Sequence, residues 1–293
     1  MKDKVPISIL IPTKNEAHQL PRCLDSIHWA DEIFFVDSQS TDTTKNIANA
    51  AGAHVVQFHF NGTWPKKKNW ALENIPFKHP WVLILDADEV MPPEAKEEIR
   101  KIVTDPGCPH SGYWINRRFY FLDKPLKHAY FPNWNLRLVQ HKHARYEALT
   151  KQATESGDNE VHEHMAVQGS TGRLKSVMDH HAFPSIEVFI EKHNRYSNWE
   201  ARIALEKNTN NPSASLDQGT SSKRLLKQLV RHLPFRPTLR FLYVYLVQGG
   251  ILDGRRGYYF ARLHGLYEFL NVAKTYELKL KQQAKSPAQH QAP

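Results

Sequence analysis

No apolar run in the sequence approaches the ~18–20 residues that a membrane-crossing helix requires. The apolar opening segment, Ile7 to Ile11, is ended by Pro12 and is too short for the core of a signal peptide. The chain is therefore expected to be soluble or membrane-peripheral, in the cytoplasm, and not membrane-spanning. Cysteine is scarce as well: Cys23 and Cys108 are the only two, and neither belongs to a CxxC pair. That excludes a disulfide-built secreted domain and suits two buried, reduced thiols. There is no internal repeat. Glycine is missing where a phosphate-cradling loop would place it, because the first strand pattern runs into Pro12-Thr13-Lys14-Asn15-Glu16.

What is present is an ordinary globular balance: 293 residues, 41% hydrophobic and 24% charged. This length accommodates one large domain, or one domain with an appendage. The formal net charge is +9 with 17 histidines counted as neutral. Such an excess favours an anionic partner, whether a nucleotide diphosphate, an anionic membrane surface or nucleic acid.

The first half alternates apolar runs with helical patterns. Strands are expected at Ile7–Ile11, Ile33–Val36, His54–Phe58 and Trp81–Leu85. Helices are expected at Glu16–Ala30, Thr41–Ala51, Lys66–Asn74 and Pro92–Val103. Strands apolar throughout and separated by helices predict an α/β fold, with a mostly parallel sheet covered on both faces. Ligands on such sheets bind beyond the carboxyl ends of the strands. Thr13-Lys14-Asn15-Glu16, Asp37-Ser38-Gln39-Ser40-Thr41-Asp42 and Asp86-Ala87-Asp88-Glu89 all sit at such ends and are expected to meet in one crevice. From Gly112 to His181 aromatic and β-branched residues alternate with polar ones, which predicts a mixed or antiparallel extension of the sheet. Ser185–Leu205 reads as a helix. Residues 208–222 read as a linker, 223–281 as a basic, aromatic helical segment, and 282–293 as a loose tail.

Asp86-Ala87-Asp88 carries the clearest chemistry. Two carboxylates one residue apart at a strand end can serve different oxygens of a metal–diphosphate, and Mg²⁺ and Mn²⁺ prefer oxygen ligands. A metal there would stabilise the charge on a departing diphosphate. Taken alone, an Asp-x-Asp turn is as readily a solvated acidic turn; its place third in an ordered series favours function. The short polar residues after the first two strands can bind a nucleobase edge and ribose hydroxyls, and Ser40 or Thr41 can cap the next helix.

Ile9-Leu10-Ile11-Pro12-Thr13-Lys14-Asn15-Glu16, Val36-Asp37-Ser38-Gln39-Ser40-Thr41-Asp42, Lys68-Asn69-Trp70-Ala71-Leu72 and Leu85-Asp86-Ala87-Asp88-Glu89 together resemble the family 2 glycosyltransferases. Within them the chain is similar to the branch of lipopolysaccharide-core and exopolysaccharide sugar transferases, over about residues 5–200. The resemblance implies the GT-A (Rossmann-like) fold with residues 1–207 as the catalytic domain. It also implies a nucleotide-diphospho-sugar donor, UDP by default, a divalent metal (Mn²⁺ or Mg²⁺) and inversion at the anomeric carbon. The donor-binding set it implies is Pro12, Thr13, Asn15, Glu16, Asp37, Ser40, Lys68, Asp86, Ala87 and Asp88. Thr13, Glu16 and Asp37 would hold the nucleoside, and Lys68 would lie near the diphosphate. Asp86 would sit near ribose or metal, and Asp88 would ligate the metal.

In the second half, Val161-His162-Glu163-His164 resembles the branch's His-Glu element on the acceptor side. A single displacement needs a base on the acceptor hydroxyl. Glu163 is the first candidate and Glu89 the second; a structural role for Glu163 is the alternative. His180 resembles a late histidine that completes a metal site with Asp86 and Asp88. Arg137 and His162 are the acceptor-side candidates, with a structural ion pair as the other reading of Arg137. Residues 223–267 interleave arginines with aromatics, a composition suited to an anionic membrane surface and thus to a lipid-linked or glycan acceptor. A helical pair packed on the catalytic domain is the alternative. Two rival readings of the chain are a sugar nucleotidyltransferase, against which the glycine-free first loop argues, and a non-catalytic polyanion binder, against which the strand-end carboxylates argue.

Overall fold

In the computed structural model, residues 4–147, 164–209 and 235–285 are described. They divide into two units. The first comprises the described residues up to Pro125 and from Tyr130 to Pro184, and the second comprises Leu126–Ala129 and the described residues from Ser185 onward.

The first unit is built on one large sheet. Its strands are β1 (Val5–Thr13), β2 (Ala30–Asp37), β3 (His54–Gln57), β4 (Trp81–Ile84), β5 (Glu89–Val90), β6 (Gly112–Phe121), β7 (Lys124–Pro125), β8 (Trp134–Gln140) and β11 (Thr171–Phe183). A separate antiparallel pair is formed by β9 (Ala144–Tyr146) and β10 (Met165–Val167). The order across the sheet is β3-β2-β1-β4-β8-β6-β11-β5, with β7 paired to β6. From β3 to β4 every pairing is parallel; β8 then runs antiparallel to both β4 and β6, and β11 is parallel to β6. This is the expected α/β class: a parallel half followed by a mixed extension.

Helices α1 (Leu20–Ile27), α2 (Thr44–Ala50), α3 (Lys67–Asn74) and α4 (Ala95–Val103) fill the crossovers. Because side chains alternate along a strand, β1 feeds two cores. Ile7, Ile9 and Ile11 join Leu20, Leu24 and Ile99 on one face, and Leu10 joins Ala71, Leu72 and Ile84 on the other. Covering both faces is what allows these strands to be apolar throughout.

The expected helix Glu16–Ala30 is shorter. Its first turn is lost because the Glu16 and Ala17 N–H groups donate to Thr44 Oγ1 (2.8 Å) and Asp42 Oδ2 (3.1 Å) across the neighbouring loop. Its last residue, Ala30, pairs with Val5 as the start of β2.

The second unit contains α5 (Ile186–Thr209), α6 (Arg236–Leu242), a π-helical turn (Tyr243–Val247), a 3₁₀ turn (Gly250–Asp253) and α7 (Gly254–Lys285). Both α5 and α6 pack along α7. Helix α5 groups with the helical unit. The tail expected to loosen after Lys281 remains helical to Lys285. The rest of the expected linker, residues 210–222, lies outside the described residues.

Candidate active site

The carboxyl ends of β1, β2 and β4 share one edge of the sheet, since Thr13 pairs with Asp37 and Leu10 with Ile84. The loops after β1 and β2 are stitched together. Asn15, held at positive φ, accepts the Thr41 N–H at 2.8 Å, and its own N–H donates to Ser40 Oγ at 2.9 Å. Positive φ is tolerated by asparagine better than by most residues. Asp37 is buried, and its carboxylate accepts the Ser40 N–H and Oγ–H and, at 3.0 Å, the Gln57 amide. Beside it opens a recess lined by Gln57, Phe58, His59, Asn61, Pro65 and Trp70.

Helix α3 brings three consecutive lysines under these loops. Lys66, Lys67 and Lys68 are all buried. Lys67 Nζ donates to the Thr13 carbonyl at 2.9 Å, and Lys68 Nζ lies 3.1 Å from Asp86 Oδ1. Thus α3 ties the β1 loop to the β4 loop. Asn69 clamps β9, exchanging two amide hydrogen bonds with the Tyr146 backbone.

The two aspartates of the β4 turn have different environments. Asp86 is held by cations, with Lys68 on Oδ1 and Arg137 Nη2 on Oδ2 at 2.6 Å. Burial would raise its pKa, but the Arg137 and Lys68 charges outweigh burial and hold the carboxyl well below the usual range. Asp88 instead faces β11, where its Oδ1 lies 3.3 Å from His180 Nε2. The other ring nitrogen, His180 Nδ1, is buried with no hydrogen-bond partner. The Asp88 carbonyl accepts the His181 N–H at 2.8 Å, which fixes this turn against β11.

Glu89 is completely buried. Its Oε1 receives Arg137 Nη2 at 2.7 Å and Arg117 Nη1 at 3.1 Å, and its Oε2 receives the Asp86 N–H at 2.9 Å. Burial lowers Arg117 despite Glu89, whereas Asp86 and Glu89 raise Arg137 in spite of its burial. The linked group of Lys68, Arg117, Arg137, Asp86 and Glu89 has three cations and two carboxylates, hence one excess positive charge.

Of the two readings of Arg137, acceptor-side residue or structural ion pair, the structure shows the ion pair: the guanidinium is buried against Asp86 and Glu89, which compensate its charge. Asp86 does not join Asp88 and His180 in a three-ligand set; among the described residues no three His, Cys, Asp or Glu side chains gather as a metal cluster. His162 and Glu163 lie outside the described residues. Sequence reasoning passed over Arg117 and Lys67. For Arg117 the available signal was a charged residue in an aromatic strand pattern, which must find a partner when it turns inward; Lys67 carried no such signal.

The family model for glycosyl transferase family 2 matches residues 8–167, more than half of the chain. The chain belongs to glycosyl transferase family 2. The matched span includes all of β1 to β9 except the first residues of β1, and with them every strand-end loop described above except the β11 side of the Asp88–His180 pair. Among curated relatives of this family-2 chain is a lipopolysaccharide core biosynthesis glycosyltransferase, LpsC of Rhizobium meliloti, 28% identical and aligned over 94% of each chain. An uncharacterized glycosyltransferase of Rickettsia conorii is 32% identical over 67% of this chain and 69% of its own length. Among solved structures, a mannosyltransferase from Pyrobaculum calidifontis in complex with GDP-Man and Mn²⁺ is 14% identical. It covers 94% of this chain and 88% of that one at a TM-score of 0.47.

Proposed function

We propose that this family 2 glycosyltransferase transfers a sugar, with inversion, from a nucleotide-diphospho-sugar to a cell-envelope glycan or glycolipid. A lipopolysaccharide-core or exopolysaccharide acceptor is favoured by the similarity to LpsC. The observation that carries the reading is the split between Asp86 and Asp88 at the end of β4: one carboxylate is neutralised by Lys68 and Arg137, and the other faces His180. An excess positive charge beside the strand ends suits a diphosphate.

The donor set of Asp88 and His180 fits a divalent metal. One carboxylate and one imidazole, the latter with a buried orphan nitrogen, leave most coordination positions to phosphate oxygens and water, as Mg²⁺ and Mn²⁺ prefer. When bound, the metal would screen the diphosphate and stabilise its departure. The chain's own residues do the rest. Asp37, with Ser40 and Gln57, offers ribose-binding oxygens beside the aromatic recess of Phe58 and Trp70, which suits a nucleobase. Thr13, Asn15 and Glu16 close the nucleoside side. Lys68 and Arg137 fix Asp86 and place positive charge near the phosphates. Glu163 takes the acceptor proton. Glu89 has both carboxylate oxygens committed and no exposure, which favours a positioning role over that of a base.

The helical unit is the part read as meeting an anionic membrane, on the cytoplasmic face. A thermal-shift panel of UDP-, GDP-, dTDP- and CMP-sugars with and without Mn²⁺ tests the core of this reading. One donor is expected to raise the melting temperature in a Mn²⁺-dependent way. No stabilisation by any donor, together with no Mn²⁺-dependent donor hydrolysis, would remove it.

A further inference from the structure

The turn between α6 and α7 exposes large apolar side chains that folding could have buried. Leu246 is 55% exposed, Val247 73%, Ile251 50% and Leu252 69%. These four project from the π-helical and 3₁₀ turns, and Phe235 adds 78% at the start of α6.

The turn is held rigidly. Val244 and Gly250 are buried within it. A side chain at Gly257 would place Cβ 1.8 Å from the Gly250 carbonyl oxygen, so the 3₁₀ turn and the first turn of α7 touch backbone to backbone. Gly249 and Gly254 adopt positive φ at its corners. The Asp253 carboxylate accepts three backbone N–H groups, from Lys127 (2.8 Å), His128 (3.1 Å) and Ala129 (2.8 Å). An anchored turn cannot fold its apolar residues inward, so their exposure persists in water and calls for a partner.

The charge around the turn indicates the partner's chemistry. Residues 235–262 carry five arginines (Arg236, Arg240, Arg255, Arg256 and Arg262) and one carboxylate, Asp253. That carboxylate is spent on the anchor. Arg255 and Arg256 are exposed immediately after the turn. Tyr258 and Tyr259 follow on α7, 39% and 51% exposed. Apolar tips backed by arginines and tyrosines match acyl chains beneath a headgroup layer, the level at which both cations and tyrosine rings reside. No described helix is long and apolar enough to cross a membrane. We infer that the turn Tyr243–Asp253 is a wedge that inserts Leu246, Val247, Ile251 and Leu252 into one leaflet of an anionic phospholipid bilayer, with Arg255 and Arg256 as its headgroup collar. This rests on the membrane-facing reading of the helical unit and names the element that performs it.

The test uses the full chain with an environment-sensitive fluorophore on a single introduced cysteine, at Val247→Cys, Leu252→Cys or, as control, Tyr276→Cys. The background is Cys108→Ser. Native Cys23 is buried, and that burial pushes its thiol well up, so it stays unlabelled. Mixed phosphatidylcholine–phosphatidylglycerol vesicles should blue-shift the labels at 247 and 252 and shield them from an aqueous quencher. The label at 276 should stay exposed. Val247→Glu with Leu252→Glu should weaken partitioning roughly a hundredfold or more at any salt. Arg255→Glu with Arg256→Glu should weaken it about tenfold or more at low salt only.

Labels at 247 and 252 that are already shielded without lipid would overturn the inference, because residues 210–234 or a second copy would then be the occupant. Equal responses at all three positions, or binding indifferent to the Glu pair, would overturn it as well. Calorimetry of UDP and GDP with Mn²⁺ on the same variants keeps the two readings apart. Wedge variants that lose vesicles but bind nucleotide support the wedge. A wild-type chain that inserts its wedge but binds neither nucleotide would sink the donor reading alone.

Discussion

The two units handle their costly groups in opposite ways. The sheet unit takes charge inward and compensates it: Glu89, Arg137 and three lysines are buried and Arg117 is partly buried, with carboxylates, carbonyls or N–H groups to meet them. The helical unit leaves apolar surface outward, with Val247 and Leu252 more than two-thirds exposed on a turn anchored by Asp253. Neither arrangement is the cheapest for a chain that only has to fold. Replacing a buried ion network by apolar residues is often neutral or stabilising, and exposed leucines gain by burial. In the proposed function each departure from that optimum serves binding: a diphosphate at the strand ends and a lipid phase at the turn.

The largest expected effect separates a charge that acts from charges that are held. Asp88→Asn keeps the size of the side chain but removes the charge facing His180. Losing a metal's electrostatic contribution is worth several kcal/mol, so turnover should fall by about 10³. Mn²⁺-dependent donor binding should weaken and the melting temperature should hardly move. Near wild-type turnover at low Mn²⁺ would place Asp88 among the structural charges.

Glu163→Gln comes next. A general base contributes typically ~10²–10⁴ in rate, so kcat should drop by that much while calorimetric donor affinity and metal dependence stay. Normal turnover in this variant, alongside a Glu89→Gln protein that binds donor but no longer turns over, would transfer the role of base to Glu89.

Glu89→Gln tests the held charges directly. It leaves Arg117 and one side of Arg137 without their anion in a dry core. Breaking a buried pair costs about 3–5 kcal/mol, so the main readout should be a lower melting temperature and a lower denaturation midpoint. Unchanged stability would mean the network carries no structural load, and the contrast between the two units would lose its inner half.

The parallel half of the sheet and its two-faced core were legible because β1, β2 and β4 are largely apolar at both parities, and that pattern fits a sheet covered on both sides. The strand-end motifs were legible for the same reason: Thr13, Asp37 and Asp86 each interrupt an apolar run where it must stop. What remained hidden were long-range polar contacts. Nothing local indicates that Thr44 and Asp42 would capture the N–H groups of Glu16 and Ala17 and shorten α1. Nothing local distinguishes Lys67, buried on the Thr13 carbonyl, from an exposed helix lysine. The split between Asp86 and Asp88 depends on Arg137, fifty-one positions downstream of Asp86, and on His180, so an identical pair of residues in sequence acquires two environments only in the fold.

The smallest effect is expected at Asp37, where binding and structure overlap. Its carboxylate is buried and already accepts from Ser40 and Gln57, so it holds the β2 loop in the shape that stitches to Asn15. Asp37→Ala removes these acceptors and leaves the Gln57 amide to find water in the adjoining recess. Charged hydrogen bonds are each worth about 1.5–3 kcal/mol, but the recess is open to solvent and returns part of that. Donor affinity should therefore fall about tenfold, equivalent to about 1.4 kcal/mol, and acceptor KM should stay where it was. Asp37→Asn separates the two contributions, because it keeps an acceptor oxygen for Ser40 and loses only the charge. If donor affinity recovers in Asp37→Asn, the residue acts by shaping the loop. If both variants weaken the donor equally, the carboxylate itself meets the nucleoside. Unchanged donor affinity in both would assign Asp37 wholly to the fold and move the nucleoside contact to Thr13, Glu16 and the aromatic recess.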